Sequence, residues 1–398
     1  MSGDQTRQMR IGIVTVSYAP RRGGAAIQSD IFYDEFTRLG HHAEIFCPDT
    51  EKSGPFIENG RTVNRVHNRW IKTYHDNLSR AGIIWGLRQA IQQRRADFDT
   101  WISPEFNVGP LSMSLAWGIR RAACYGADLT FEFLNQQGNE FIEYDRLLQA
   151  GPGNLGLSNW LKKRFLYLLQ DWIVARMERI IVLNDPDRQR LDPSGRKSDK
   201  IHCPVRPPVS RSAKPRDSIQ KIAVVGRNVS WKCIGESIAS AIELKITAPR
   251  ACEVVYLGSG QEMTTIKNQW GQQIRVERDR NNEEVRAELR SSDVVINLSK
   301  YETYCIVNIE ALLERCLLIT RWLPAYQDYL RPDENCLCSA GVLSSEAARD
   351  IHRRWPGLAG TIAAGEASAR AISNPGKRVA EILASLEKTG APKGPPRK

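Results

Sequence analysis

The chain has 398 residues, with 56 lysines and arginines against 45 aspartates and glutamates, and a formal net charge of +11. This length predicts two domains. The sequence contains no run of eighteen or more apolar residues, so we expect no membrane-spanning helix. The basic residues are spread along the whole sequence rather than clustered with aromatics, which argues against a nucleic-acid partner. A basic surface suits an acidic substrate, an anionic membrane face or plain solvation, and composition alone does not choose among them.

Cysteine and histidine usage bears on the compartment and on metals. The nine cysteines form no C-x-x-C pair, and the six histidines show no ligand spacing, so we expect reduced thiols and no metal site. The first residues, Met1 to Gln8, are polar and lack the apolar stretch of a secretory signal. These features predict a cytoplasmic protein.

The N-terminal half alternates short apolar strands with helices. We predict a strand at residues 11–16, a turn containing Gly23 and Gly24, a helix ending at Gly40 and a strand at residues 43–47. Glycine lacks a Cβ atom, so Gly23 and Gly24 would let a phosphate or sugar approach the backbone, although a tight turn explains them equally well. The alternation predicts a parallel, doubly wound sheet. Further strands are predicted at residues 61–66, 98–103, 128–133 and 179–183.

A helix at residues 159–173 carries apolar side chains, among them Leu161, Phe165 and Leu168, with Lys162, Lys163 and Arg164 between them. Such a helix packs on the sheet with a solvated basic face or docks on a membrane surface, and the sequence leaves both open. Prolines and charges without apolar periodicity mark residues 207–219 as a linker. We expect an N-terminal domain at 1–206, a C-terminal domain at 220–375, and a final helix and tail at 376–398.

The C-terminal half starts with a strand that ends at Gly226. Arg227 follows, and Lys232 comes five positions later, before a helix whose inner face we predict to be Ile234, Ile238, Ala241 and Ile242. Two cations at this spacing, after a strand and before a helix, can reach one anionic ligand, although a pair of surface cations is the plain alternative. The next strand ends in Gly258-Ser259-Gly260, which lacks the third glycine of a dinucleotide fingerprint.

The apolar run at residues 293–298 predicts a buried strand, and a polar corner follows it. We predict Thr303 as the N-cap of a helix with Ile306 and Ile309 on its buried face. Glu302 and Glu310 stand eight positions apart, one in the corner and one in the helix. The carboxyl end of a parallel strand, at a helix N-terminus, is where open α/β sheets bind anionic ligands.

Taken in order, these segments resemble the retaining GT-B glycosyltransferases of the GT4-like group. The resemblance implies an α/β fold of two Rossmann-like domains, each with a doubly wound parallel sheet, that face each other across a cleft. It implies transfer of a sugar from a nucleotide-diphosphate sugar to a hydroxyl group of a glycan, a lipid-linked acceptor or a small molecule. The reaction would proceed with retention of anomeric configuration and would need neither a metal nor a resident cofactor.

The resemblance also implies roles for individual residues. Arg227 and Lys232 would hold the diphosphate, Glu302 the donor sugar and Glu310 the ribose, while the leaving phosphate accepts the proton of the acceptor. Glu132 stands near the position where many members have a histidine, and we assign it to the acceptor side. The remaining donor-binding positions are Gly23, Gly24, Gly258, Gly260, Thr303, Tyr304 and Cys305.

The chain departs from the family pattern at Glu302-Thr303-Tyr304-Cys305, where Glu-Gly-Phe-Gly is common. The added side chains reshape the sugar pocket, so the donor stays undetermined. Two rival functions remain: a GT-B-fold nucleotide-sugar epimerase, which the scarcity of histidines disfavours, and a catalytically inactive relative that binds a nucleotide sugar. Peripheral contact with the inner face of a membrane also stays open.

Overall fold

The computed structural model describes residues 8–16, 18, 24–73, 77–105, 108–124, 157–209, 216–258 and 263–388. These residues form two compact units. The first takes the residues up to 124 together with 157–204 and 375–388, and the second takes residues 205–374. The strand predicted at residues 128–133 lies outside the described residues.

The first unit is built on one eight-stranded sheet. Its strands are β1 (Arg10–Val14), β2 (His42–Pro48), β3 (Gly54–Glu58), β4 (Arg61–Val66), β5 (Thr100–Ser103), β6 (Arg121–Cys124), β7 (Arg179–Val182) and β8 (Ser198–Lys200). They lie in the order β3-β4-β2-β1-β5-β6-β7-β8. All neighbours run parallel except β3 and β4, which are antiparallel.

The antiparallel pair is a hairpin that the sequence analysis missed. Its turn is Asn59-Gly60, where both residues have positive φ angles, 50° and 77°. An Asn-Gly pair between two strands favours this two-residue turn, because both residues tolerate left-handed backbone. The signal was therefore present in the sequence. The predicted strand at residues 61–66 is confirmed as β4.

Helices flank the sheet of the first unit. They are α1 (Gly24–Arg38), α2 (Asn77–Gln93), α3 (Val108–Leu115), α4 (Leu157–Arg176), α5 (Asp185–Leu191) and the C-terminal helix Pro375–Glu387. Gly40, at φ 86°, follows the end of α1 as predicted. In the core, Trp101 packs against Phe46 and Phe98, with ring centroids 4.9 and 4.7 Å away. A Cβ atom at Gly12 would lie 2.4 Å from the Trp101 ring, so only glycine fits there.

The helix predicted at residues 159–173 is confirmed as part of α4, and the structure shows which of its sides is buried. Its buried side consists of Leu166, Gln170 and Ile173, whereas Leu161, Phe165 and Leu168 point to solvent. Apolar residues occur all around the first three turns of α4, so periodicity could not tell the inner face from the outer one.

The second unit has a six-stranded parallel sheet. Its strands are β9 (Lys221–Val225), β10 (Glu253–Gly258), β11 (Arg275–Arg278), β12 (Val294–Asn297), β13 (Leu317–Thr320) and β14 (Leu337–Cys338). They lie in the order β11-β10-β9-β12-β13-β14, and all neighbours run parallel. The chain reverses direction across the sheet between β9 and β12, which is the position where doubly wound sheets bind ligands.

The helices of the second unit are α6 (Ile234–Thr247), α7 (Met263–Trp270), α8 (Asn282–Ser291), α9 (Ile306–Leu313), α10 (Ser345–Arg354) and α11 (Ala359–Ser373). The C-terminal helix of the first unit is numbered α12. The inward face predicted for α6 is confirmed, since Ile234, Ile238, Ala241 and Ile242 are buried. Each of the buried isoleucines contributes about 1.5–3 kcal/mol through removal of apolar surface from water. Short 3₁₀ turns occur at Arg95–Asp97, Ser230–Lys232, Pro324–Tyr326 and Trp355–Gly357.

Among the residues that the structure describes, no helix has both the length and the apolar character needed to cross a membrane. The cysteines whose side chains are described are free thiols, and all but Cys338 are buried.

Candidate active site

The candidate site lies at the carboxyl ends of β9 and β12, which are neighbours in the sheet. The segment after β9 carries Arg227 and Lys232, and the segment after β12 carries Glu302. A backbone hydrogen bond of 2.8 Å from the amide of Lys300 to the carbonyl of Trp231 joins the two segments. The parallel sheet thus brings together two loops that are distant in sequence.

The two loops meet at a buried ion pair. The ammonium group of Lys232 donates to Oε1 of Glu302. The two side chains are only 21% and 10% exposed. Burial is the largest single effect and lowers the pKa of Lys232, but the charge and hydrogen bond of Glu302, together with a contribution from Cys305, outweigh it and the pKa is raised overall. Arg227 is exposed, and its charge lowers the pKa of Lys232, so the three predicted residues lie within electrostatic reach of one another.

Asn297, the last residue of β12, organises the corner before Glu302. Its Nδ2 donates to Oδ1 of Asn308 at 2.7 Å and to Sγ of Cys305 at 3.0 Å. Its Oδ1 accepts from Oγ of Ser299 at 2.6 Å. One buried amide therefore ties the strand, the corner and α9 together. The sequence analysis missed this role, although a polar residue that ends an apolar strand was the available signal.

Thr303 is not the N-cap of the following helix, so that prediction is wrong. Helix α9 begins at Ile306, and its N-cap is Cys305, which makes no capping bond through its side chain. Cys305 has φ 59° and ψ 82°, a left-handed conformation that places the helix start two residues later than Thr303 would. Burial raises the pKa of the Cys305 thiol to about 12, so it stays protonated and is no nucleophile at neutral pH.

The loop with Lys232 has a matching feature. Cys233 is the N-cap of α6, has φ 48° and ψ 43°, and makes no side-chain capping bond. Non-glycine residues rarely adopt this conformation. The two helices that start at the site thus both begin with a buried cysteine in left-handed backbone.

Tyr304 supports the corner from the core. Its side chain is buried and its ring lies 5.5 Å from that of Tyr329. Oη of Tyr329 donates to the carbonyl of Tyr304 at 2.6 Å. Burial raises the pKa values of Tyr326 and Tyr329 well above the ordinary range, so both hydroxyls stay protonated. Thr303, the residue before Tyr304, is half-buried.

Glu310 lies on α9, buried, and accepts a hydrogen bond of 2.8 Å from Nδ2 of Asn282 on α8. Burial raises its pKa, and the nearby charge of Glu314 raises it further, whereas Asn282 and Arg286 act in the opposite direction. Helices α8 and α9 follow β11 and β12, so Glu310 belongs to the same edge of the sheet as Lys232 and Glu302.

The predicted glycines fall in different places. Gly258 ends β10, where a Cβ atom would lie 2.3 Å from Oη of Tyr256 and 2.6 Å from the sulfur of Met263, so no larger residue fits. Gly24 is the exposed first residue of α1 in the first unit. Gly23, Gly260 and Glu132 lie outside the described residues. Within the described part of the chain, no three His, Cys, Asp or Glu side chains group as metal ligands.

This arrangement, two units on parallel sheets with paired charges where the strand order reverses, is that of the GT-B fold. Residues 23–204 match the family model of the glycosyl transferase 4-like domain. The N-terminal part of the chain is therefore similar to the glycosyl transferase 4-like domain, and the chain as a whole has the GT-B fold. No curated protein sequence matches it significantly.

Solved structures share this fold at low sequence identity. Sucrose-phosphate synthase from Thermosynechococcus elongatus superposes with a TM-score of 0.71 at 14% identity, over 96% of this chain and 100% of that one. HepE from Anabaena, in complex with UDP-glucose, gives 0.63 at 13% identity, over 95% and 100%. The catalytic domain of starch synthase IV from Arabidopsis thaliana, bound to ADP and acarbose, gives 0.65 at 12% identity, over 96% and 99%.

Proposed function

We propose that the protein transfers a sugar from a nucleotide-diphosphate sugar to a hydroxyl acceptor, with retention of configuration and without a metal ion. The observation that carries this proposal is the Lys232–Glu302 pair with Arg227 beside it, at the carboxyl ends of β9 and β12. It combines fixed positive charge for a leaving diphosphate with a carboxylate that can accept hydrogen bonds from sugar hydroxyls.

In this proposal Arg227 and Lys232 bind the diphosphate. When the bond to the sugar breaks, negative charge grows on the phosphate oxygens, and fixed cations stabilise it without reorganisation. Arg227 is always charged, and because the pKa of Lys232 is raised, its side chain is fully protonated at neutral pH. These two cations replace the divalent ion that other sugar transfers use, and the donor is a substrate rather than a cofactor.

Glu302 and Glu310 serve as hydrogen-bond acceptors in this scheme. Glu302 contacts hydroxyl groups of the donor sugar, and Glu310, held by Asn282, contacts the ribose. The backbone beside Gly258 and the corner at Thr303, Tyr304 and Cys305 approach the donor, and the leaving phosphate accepts the acceptor proton. We further propose that the protein is cytoplasmic, because its free thiols suit a reducing compartment. We also propose peripheral contact with a membrane.

The test follows nucleotide release from a panel of UDP-, GDP- and TDP-sugars, with an NMR assignment of the product anomer. We expect one donor to turn over in the presence of EDTA and to yield a retained product. Glu302→Gln should lower kcat about 100-fold or more, whereas Glu346→Gln, on the exposed first turn of α10, should change nothing.

Three results would contradict the proposal. Conversion of a donor into its epimer without nucleotide release would indicate an epimerase. Tight binding of a donor without turnover would indicate an inactive relative. Loss of turnover in EDTA, restored by a divalent ion, would overturn the metal-independent mechanism.

A further inference from the structure

Three helices cover one face of the sheet in the first unit, and we call α2, α3 and α4 the basic helix layer. Helix α3 packs against both α2 and α4. Their inner side chains share one hydrophobic cluster, which includes Ile83, Leu87, Ile91, Met113 and Ile173. Their outer side chains therefore face away from the sheet.

The outer face of this layer exposes large apolar side chains. Leu161, Phe165 and Leu168 follow one another at successive turns of α4 and are 53%, 64% and 69% exposed. Trp85 on α2 and Trp117, just after α3, are exposed as well. Solvent-facing positions of a surface helix are normally polar, so an apolar stripe of this kind marks an interaction surface.

The same layer is almost free of acidic residues. Helix α2 contains Arg80 and Arg88, and α4 contains Lys162, Lys163, Arg164 and Arg176, against Asp171 as the single acidic residue of the three helices. Two of these arginines lie over tryptophan rings: the guanidinium of Arg88 is 4.7 Å from the centroid of the exposed Trp85, and that of Arg164 is 5.6 Å from the centroid of the half-buried Trp160. Cations beside exposed aromatic and aliphatic groups suit the boundary between headgroups and acyl chains.

We propose that the outer face of the basic helix layer docks on an anionic lipid bilayer. Leu161, Phe165 and Leu168 enter the boundary of the acyl chains, and Arg88 and Arg164 face the headgroup phosphates. A second copy of the chain is the weaker occupant, because two copies of this face, each carrying Arg88 and Arg164, would repel one another. This proposal identifies the surface and the lipid class of the membrane contact proposed above. It does not depend on sugar transfer, since an inactive chain would dock in the same way.

The experiment is flotation of the full chain with vesicles of phosphatidylcholine alone and with added phosphatidylglycerol. We expect binding only to the anionic vesicles, and weaker binding at high salt. The triple variant Leu161→Gln/Phe165→Gln/Leu168→Gln should bind at least about tenfold more weakly. Arg88→Gln and Arg164→Gln should each weaken binding about fivefold, which corresponds to one surface charge.

Ile246→Gln is the matched control, since Ile246 is an exposed apolar residue on α6 in the second unit, and it should bind like the parent chain. Thermal unfolding accompanies the flotation, and the triple variant should unfold within about 2 °C of the parent. Equal binding of parent and triple variant, equal binding to both vesicle types, or no binding at all overturns the proposal. A large loss of unfolding temperature in the triple variant also overturns it, because the stripe is then packed against protein. The same holds if the parent chain is found to be a dimer and the triple variant a monomer.

Discussion

Lys232 donates a hydrogen bond to Glu302 although the two residues stand 70 positions apart in the sequence. The contact exists because β9 and β12 are neighbours in a parallel sheet, so that the loops at their carboxyl ends meet. Neither side chain is freely solvated, and each therefore depends on the other for its charge to be tolerated. Replacing one member of the pair should therefore change both the free energy of unfolding and the turnover rate.

Replacement of Lys232 by methionine should damage stability and turnover together. It leaves the carboxylate of Glu302 without its cation, and we expect a loss of about 1–3 kcal/mol in the free energy of unfolding. It also removes a cation from the proposed diphosphate site, so kcat should fall about 100- to 1000-fold. Chemical denaturation and nucleotide release measure the two effects.

The double variant Lys232→Met/Glu302→Gln separates the effect on stability from the effect on turnover. With the carboxylate neutralised, stability should recover in part, while turnover stays lost. Lys245→Met is the control, because Lys245 donates only to the carbonyl of Gln273 in an exposed position. If the double variant is less stable than the single one, the buried pair is not what stabilises the corner.

Cys305 provides a test of backbone strain at the start of α9. At a φ of 59°, a residue without a Cβ atom is favoured, so Cys305→Gly should be more stable than Cys305→Ala by about 1 kcal/mol. Ala311→Gly, in the interior of the same helix, should be less stable than the parent chain with alanine at this position, since glycine destabilises a helix interior. Denaturant unfolding gives both differences. An alanine variant at 305 that matches or exceeds the glycine variant would contradict the left-handed start.

Glu310 predicts a pH-dependent stability. Its folded pKa is raised above the unfolded value, chiefly by burial and against the effect of Asn282 and Arg286, so the folded state holds the proton more tightly. Ionisation therefore reduces stability as the pH rises from about 4.3, the ordinary value for glutamate, through the folded pKa. Glu310→Gln cannot ionise, so its unfolding temperature relative to the parent should increase over this range. A difference that is constant with pH, like that expected of Glu346→Gln, would refute the shift.

The buried cluster around Glu314 should be a stability centre of the second unit. Glu314 pairs with Arg286 at 2.7 Å and with Arg290 at 3.2 Å, and its side chain is fully buried. Arg286 also donates to the carbonyl of Arg206. Arg286→Met should therefore cost about 3–5 kcal/mol, because a buried carboxylate loses its main partner. Arg278→Met, which breaks an exposed pair with Asp279, should cost less than about 1 kcal/mol by the same denaturation.

Much of the second unit followed from local pattern. The apolar runs that became β9, β10 and β12 are buried on both faces, and such strands are recognisable without an alignment. The helix after Lys232 was predicted with the correct inner face because its apolar residues recur at helical spacing. The start of α9 was not, because a cysteine in left-handed backbone replaces the side-chain cap that sequence rules look for.

By itself, the sequence determined the alternation of strands and helices, the carboxyl-end loops and the charged residues within them, because these depend on periodicity and residue type over short stretches. The tertiary structure decided which loops meet. It placed Lys232 against Glu302, put Asn297 beneath the corner and joined Glu310 to Asn282. It also turned Leu161, Phe165 and Leu168 outward, since apolar residues spread around a helix do not identify its inner face until a sheet packs against it.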